Sequence, residues 1–175
     1  MSRPVPSSAA LPIAYFVLRL LIVVNWLGGA AIAVLVVAMP TSQWIRSAFG
    51  IPPSPEADRL IFGLDAIAVI GLAAIPLHYV ILKRLLAIVE TVRAGDPFVA
   101  VNASRLQTIA WALFVLQVFS VVIGAIVRAI STPAHPVQMR AGFSINGWLA
   151  VLLTFRLARV FAEGTLMRDE LEGTV

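Results

Sequence analysis

The sequence predicts an all-α, polytopic membrane protein with four transmembrane helices and cytoplasmic extensions of helices 2 and 4. Three observations carry that expectation. First, apolar stretches recur at about 15–39, 60–82, 106–130 and 143–161. Each is as long as the ~20 residues that cross a ~30 Å hydrocarbon core at helical rise. Second, the 175 residues are 60% hydrophobic and 13% charged, against about 45–50% and about 25% in soluble domains. The mean hydropathy is +0.95. Third, the basic residues are unevenly placed. Nine of the 13 Lys and Arg fall at the termini and the middle connection, and four in the other two connections. By the positive-inside rule this puts both termini and the middle loop in the cytoplasm. Residues 1–175 form a single four-helix transmembrane domain on this reading.

The start, Met1-Ser2-Arg3-Pro4-Val5-Pro6-Ser7-Ser8, is short and rich in Pro and Ser and is expected to lack regular structure. The apolar run after it exceeds the about 7–15 residues of a signal-peptide core, so it reads as a retained first span. The first outer loop, about 40–59, holds Pro40, Pro52, Pro53 and Pro55. Within it, 42–49 reads as a short interfacial helix with Trp44 at headgroup depth. Pro76 interrupts the second span and deprives the Leu72 carbonyl of its donor.

The middle inner loop continues the second helix. Leu85, Leu86, Ile88, Val89 and Val92 form its apolar face, flanked by Lys83, Arg84, Glu90 and Arg93. Gly95 is a helix stop, Asp96-Pro97 a restart, and Asn102 a cap for the third span. After the second outer loop, with Pro133, His135 and Pro136, the fourth span leaves the membrane as a helix through Arg156, Arg159 and Glu163. Asp169, Glu170 and Glu172 sit at that helix's end, where the dipole disfavours acids. Pairing with Lys83, Arg84 and Arg93 of the middle loop would relieve this. R-x-x-F-x-x-[D/N] occurs at Arg59–Asp65 and again at Arg140–Asn146, a weak sign of two duplicated hairpins.

Two cytoplasmic segments resemble a known family. Gly95-Asp96-Pro97-Phe98, then Asn102-Ala103-Ser104-Arg105-Leu106, then Trp111, are similar to the G-[DN]-P-F…N…R-L motif of the bacterial integral membrane family called domain of unknown function 2975. The tail from Phe161 to Val175, with Glu163, Gly164, Arg168, Asp169, Glu170 and Glu172, resembles that family's ending. The resemblance implies four membrane helices, a bacterial inner-membrane location and no established activity. It also hints at a small helix-turn-helix regulator as partner. The residues expected to meet a partner are Arg93, Asp96, Phe98, Asn102, Arg105, Glu163, Arg168, Asp169, Glu170 and Glu172.

Little in the chain suggests chemistry. No cysteine is present, so disulfides, thiolate metal sites and thiol nucleophiles are excluded. His78 and His135 fall on opposite sides of the membrane, and no cofactor or metal is expected. No nucleophile, zinc-protease or phosphate-loop motif occurs, so an enzyme is not expected. The net charge of +4 reads as loops facing an anionic leaflet, not as direct nucleic-acid binding, because no basic run alternates with stacking aromatics.

Among polar residues in the spans, Asp65 is the only acid. An intramembrane carboxylate is a functional hypothesis by default. Its position about one turn inside the outer boundary favours a structural contact with Arg128 or Asn146 over proton or cation coupling. Asn25 and Gln117 are expected to hydrogen-bond between helices. Gly29-x-x-x-Ala33 and Ser120-x-x-x-Gly124 permit close helix approach, within or between chains. His78 is expected at the inner interface with a solvated tip.

The function expected is non-enzymatic and regulatory or sensing, through cytoplasmic helices that bind a protein partner. A small proton- or cation-coupled transporter or channel, acting as a homo-oligomer in the lipid bilayer, is the alternative. A structural subunit of a larger membrane complex is the third reading.

Overall fold

The computed structural model describes residues 10–38, 54–96, 98–132, 137, 139 and 141–172, with the side chains of 10, 38 and 168–172 outside that description. Four helices account for nearly all of it: α1 (Ala10–Ala38), α2 (Pro55–Arg93), α3 (Ala100–Ile130) and α4 (Ile145–Glu172). All four are long and apolar enough to cross a membrane. The stretch 42–49, Pro52, Pro53, Pro133, His135 and Pro136 lie outside the described residues.

α2 is the longest element, at 39 residues, or about 58 Å. It starts earlier than the apolar run because its N-terminus is well specified. Ser54 is the N-cap and its Oγ accepts from the Ala57 N–H at 3.1 Å. Pro55 follows, with Glu56 and Asp58 in the first turn. Proline at that position loses no needed donor, and acids there suit the helix dipole. α2 runs past Pro76 and past the membrane-length stretch to Arg93. It stops where expected, at Gly95, whose φ of +86° is open to glycine without strain.

The restart differs from expectation. α3 begins at Ala100 with Val99 as N-cap, and Val99 contributes no side-chain bond. Asn102 is therefore in the first turn and does not cap the helix: its amide is committed to α2 instead. α4 runs unbroken through Gly164 to Glu172.

Among the described residues the helices pack in chain order, α1 on α2, α2 on α3 and α3 on α4, with no substantial contact closing the row into a ring. The register is antiparallel throughout. Between α2 and α3, Thr91 meets Asn102, and a Cβ on Gly63 would run into Ile130. Between α1 and α2, Gly29 lies against Ile75, where a Cβ would come within 3.0 Å, and Trp26 meets Tyr79 with ring centroids 5.5 Å apart. Between α3 and α4, rings interlock: Phe155–Trp111, Trp111–Phe114, Phe114–Trp148 and Trp148–Phe143 have centroids 5.3–6.2 Å apart. Such edge and offset contacts add about 0.5–1.5 kcal/mol beyond burial.

This register brings Arg19, Lys83, Arg84 and Arg156 to one level within about a helical turn. Arg128 sits roughly 30 Å further along α3, one hydrocarbon thickness away. The end marked by the first four residues is called the basic end below. Its interior holds the buried cluster Leu106, Ile109 and Ala158, with Ile81, Leu85, Ile88, Leu113 and Phe161 packed around it. Exposed large side chains such as Phe16, Leu27, Val34, Leu152 and Leu153 line the outer faces of α1 and α4, as lipid-facing helices require.

α4 is offset toward the basic end. Gly147 lies against Gln117, near the middle of α3. The chain before α4 covers the remaining face: Ser120 Oγ donates to the Gly142 carbonyl at 3.1 Å and accepts from the Gly142 N–H at 3.3 Å. Gly124 meets that backbone so closely that a Cβ would stand 2.5 Å from the Gly142 Cα. Gly142 itself has φ +130°. The small-x-x-x-small pair thus serves a contact within the chain. The two R-x-x-F copies differ in conformation: 59–65 is helical, whereas 141–144 is not.

Candidate functional site

The family-like segment Gly95–Arg105 folds into a clasp at the basic end. Two perpendicular needs explain it. A helix leaving the membrane must turn back within a few residues, and the polar groups in that turn must find partners. The backbone closes the turn through Ala94 N–H to Glu90 carbonyl, Gly95 N–H to Val92 carbonyl and Asp96 N–H to Thr91 carbonyl, all 3.0–3.1 Å. Side chains lock it to α3. Asn102 is 0% exposed. Its Nδ2 donates to Thr91 Oγ1 at 2.8 Å, and Thr91 Oγ1 passes a bond to the Ile88 carbonyl at 2.7 Å. Arg105 Nη1 donates to Asn102 Oδ1 at 2.8 Å and to the Ala87 carbonyl at 3.0 Å. A buried amide bonded on both its oxygen and its nitrogen cannot shift without stranding a partner.

α4 joins the clasp through Phe98. Its ring stacks on Phe161 with centroids 5.3 Å apart, and Gly164 lies beneath it, 3.8 Å from a hypothetical Cβ to the ring. Thr165, one residue on, is buried and bonds back to the Ala162 carbonyl at 2.8 Å. α1 joins through Tyr15, whose ring lies between the guanidinium carbons of Arg19 at 4.8 Å and Arg93 at 5.0 Å. A tyrosine face between two cations gains from each.

Of the residues expected to meet a partner, Asn102 and Arg105 are turned inward, Phe98 is half exposed, and Arg93 lies outermost on Tyr15. Glu163 is exposed and accepts from Arg159 Nε at 2.8 Å. Asp96 occupies the turn. The side chains of Arg168, Asp169, Glu170 and Glu172 lie outside the described residues. Among the described residues the α2 and α4 extensions both pack on α3, and Phe98 bridges to α4; the expected pairing of Lys83, Arg84 and Arg93 with Asp169, Glu170 and Glu172 lies outside the described side chains.

The polar residues of the spans are spread out. Asn25 Nδ2 donates to the Ile75 carbonyl at 3.2 Å, one residue before Pro76, so it ties α1 to α2 beside the proline. The bond reaches Ile75 and not the Leu72 carbonyl. His78 is exposed, and its Nδ1 donates to the Ala74 carbonyl at 2.9 Å within its own helix. Asp65 Oδ1, Gln117 Nε2 and Trp148 Nε1 are buried without a hydrogen-bond partner among the described residues. Among the described residues Asp65 bonds to neither Arg128 nor Asn146, and both of those are exposed.

Thr91 and Tyr15 are not among the candidate residues named from the sequence, and Phe161 is named only as the start of the family-like tail, although each completes a contact at the clasp. The i, i+4 spacing of Tyr15–Arg19 is a readable signal for one of these contacts, as the same spacing is for the Arg159–Glu163 pair. The Thr91–Asn102 bond has no such signal, since only the return of α3 brings the two side chains together.

No curated protein and no solved structure matches the chain. The profile of the family described as protein of unknown function DUF2975 matches residues 43–175. That range covers α2, α3, α4 and the whole clasp except Tyr15 and Arg19, and on it the chain belongs to the DUF2975 family.

Proposed function

We propose that the protein is a bacterial inner-membrane regulator or sensor whose basic end faces the cytoplasm and binds a protein partner there. The observation that carries this reading is apolar surface in the wrong solvent. Phe98 and Val101 are about half exposed, and Leu166 and Met167 are 63% and 61% exposed. Leu166 and Met167 lie about 15 Å along α4 beyond Arg156, outside the apolar interval bounded by the basic belt. Lipid tails do not reach that far, and exposed large apolar groups in water mark an interaction surface. The clasp beneath holds α2, α3 and α4 in fixed register, so a partner would meet a rigid platform.

The test is twofold. The chain has no cysteine, so single cysteines at the exposed positions Arg93 and Arg59, at opposite ends of α2, can be labelled from either side of intact cells. The reading requires Arg93→Cys to be reached only after permeabilisation. Photocrosslinking from Leu166 or Met167 must then recover one cytoplasmic protein, and Leu166→Glu must abolish it. Labelling of Arg93→Cys from outside would reverse the orientation and end the proposal.

A second reading, a small proton- or cation-coupled transporter acting as an oligomer, is favoured by one observation: Asp65 Oδ1 is buried and has no hydrogen-bond partner among the described residues. Flux in proteoliposomes that Asp65→Asn abolishes would support it. No flux in the unaltered protein would reject it.

A further inference from the structure

We infer that the cleft between α3 and α4 at the basic end is a binding site for the phosphate headgroup of an anionic phospholipid. The cleft has a volume of about 380 Å³, within the range of about 300–1,000 Å³ typical of small-ligand sites. It exists because the facing positions are small: Ala100 and Ala103 on α3, Ala158 and Ala162 on α4. Phe155 closes it toward the membrane interior, while Ser104, Gln107 and Arg159 supply its polar rim.

Depth identifies the occupant. Arg156, one residue after Phe155, belongs to the basic belt that bounds the apolar interval. From Gln107 to Ala100 the cleft extends about 10 Å beyond that boundary. This is the layer where lipid phosphates lie. An apolar floor at Phe155 suits the first carbons of an acyl chain, and Arg159, the cation in the lining, suits an anionic headgroup at this depth.

Hydrogen-bonding capacity points the same way. Arg159 spends its Nε on Glu163 at 2.8 Å. Its two terminal amino groups make no hydrogen bond among the described residues, and neither does the Gln107 amide. Among the described residues four of the five guanidinium N–H donors are thus uncommitted on a residue that lines the cleft, and such a fork matches a phosphate. Glu163 competes with the incoming anion for the same guanidinium. It therefore sets how tightly the lipid is held.

Native mass spectrometry of the full chain in neutral detergent, with phosphatidylglycerol or phosphatidylcholine added, reads retention directly. Phosphatidylglycerol is expected to be retained and phosphatidylcholine to be lost. Arg159→Gln should lower retention about tenfold, the scale of one charge-assisted hydrogen bond. Ala103→Leu, which fills the cleft without touching charge, should do the same. Glu163→Gln alters an exposed side chain and leaves the fold intact, and it should raise retention several-fold by freeing the guanidinium. Arg156→Gln, on the same helix but outside the cleft, should change little. Equal retention of the two lipids, equal losses in Arg156→Gln and Arg159→Gln, or no gain in Glu163→Gln would each overturn the site. Full displacement of phosphatidylglycerol by millimolar inorganic phosphate would overturn the lipid as its occupant.

Discussion

Asn102 is the residue on which the basic end turns. Its amide joins Thr91 of α2 to Arg105 of α3 with no exposure to solvent. Truncation to alanine leaves the half-buried Thr91 hydroxyl and Arg105 guanidinium each one partner short, with only their bonds to the Ile88 and Ala87 carbonyls. Each stranded group costs about 1–3 kcal/mol. Asn102→Ala is thus expected to lower the melting temperature in detergent clearly, while leaving helix content by circular dichroism near its original value. An unchanged melting temperature would show that water replaces the amide and that the clasp is not closed. Glycines divide by neighbour in the same way. Gly124→Ala would set a methyl against the backbone of 141–142, which cannot swing aside as a side chain can. A loss of about 1–3 kcal/mol follows. Gly28 has nothing within 4 Å, so Gly28→Ala should be neutral or slightly stabilising, because alanine is the better helix former. Parallel thermal melts of the two variants test the contrast.

At the scale of elements, α2 shows how a long helix is bounded. Ser54, Pro55, Glu56 and Asp58 specify its start, and Gly95 permits its end. Ser54→Ala removes the bond to the Ala57 N–H and should cost about 1 kcal/mol. Hydrogen exchange would show the loss as faster exchange confined to the first turn. Equal acceleration across α2 would mean the cap matters to the whole helix and not to its end. The α3–α4 seam depends on a different principle. Aromatic rings run along it in series from Phe155 to Phe143, so shape complementarity and not hydrogen bonding holds most of its length. The exceptions are Ser120 and Gly142, where non-helical backbone meets α3 and its donors are satisfied by the serine hydroxyl. Irregular backbone at membrane depth is tolerated only when so covered.

For the whole molecule, the open row of helices is the feature with most consequence. α1 is held to the rest through α2, by Asn25 on Ile75, by Gly29 against Ile75, and by Tyr15 between Arg19 and Arg93. It also lies outside the family match, which begins at residue 43. A chain split between α1 and α2 should therefore reassemble when both fragments are co-expressed, as independently stable spans can. Co-purification of the two fragments is the expected result. Gly29→Leu, which drives a side chain into Ile75, should weaken it several-fold. Failure of the unaltered fragments to co-purify would show that α1 is positioned by the connection and not by its contacts.

Much of this was legible in the residues. Helix number followed from apolar length, because lipid leaves the backbone no partner but its own helix. The stop at Gly95 followed from the φ that only glycine adopts freely. Asn25 as a bond between helices followed from its depth. The early start of α2 was written at Ser54-Pro55 but lay hidden beneath the hydropathy signal, which begins later. Asn102 was read as a cap because asparagine near a helix start caps most readily, and no local pattern could reveal Thr91 as its competing partner. Asp65 shows the same limit: its burial without a bond depends on what α3 places opposite it.

The sequence by itself determined that four apolar helices form, where most of them end, and which segments carry the family's signature. These are local matters, decided by side-chain solubility and backbone dihedral freedom within a few residues. Only the tertiary structure decided that the helices lie in an open row, that Asn102, Thr91 and Arg105 close one clasp, and that four alanines leave a cleft beside Arg159. Those outcomes depend on which faces meet across distant parts of the chain, and packing, unlike hydropathy, has no signature in any single segment.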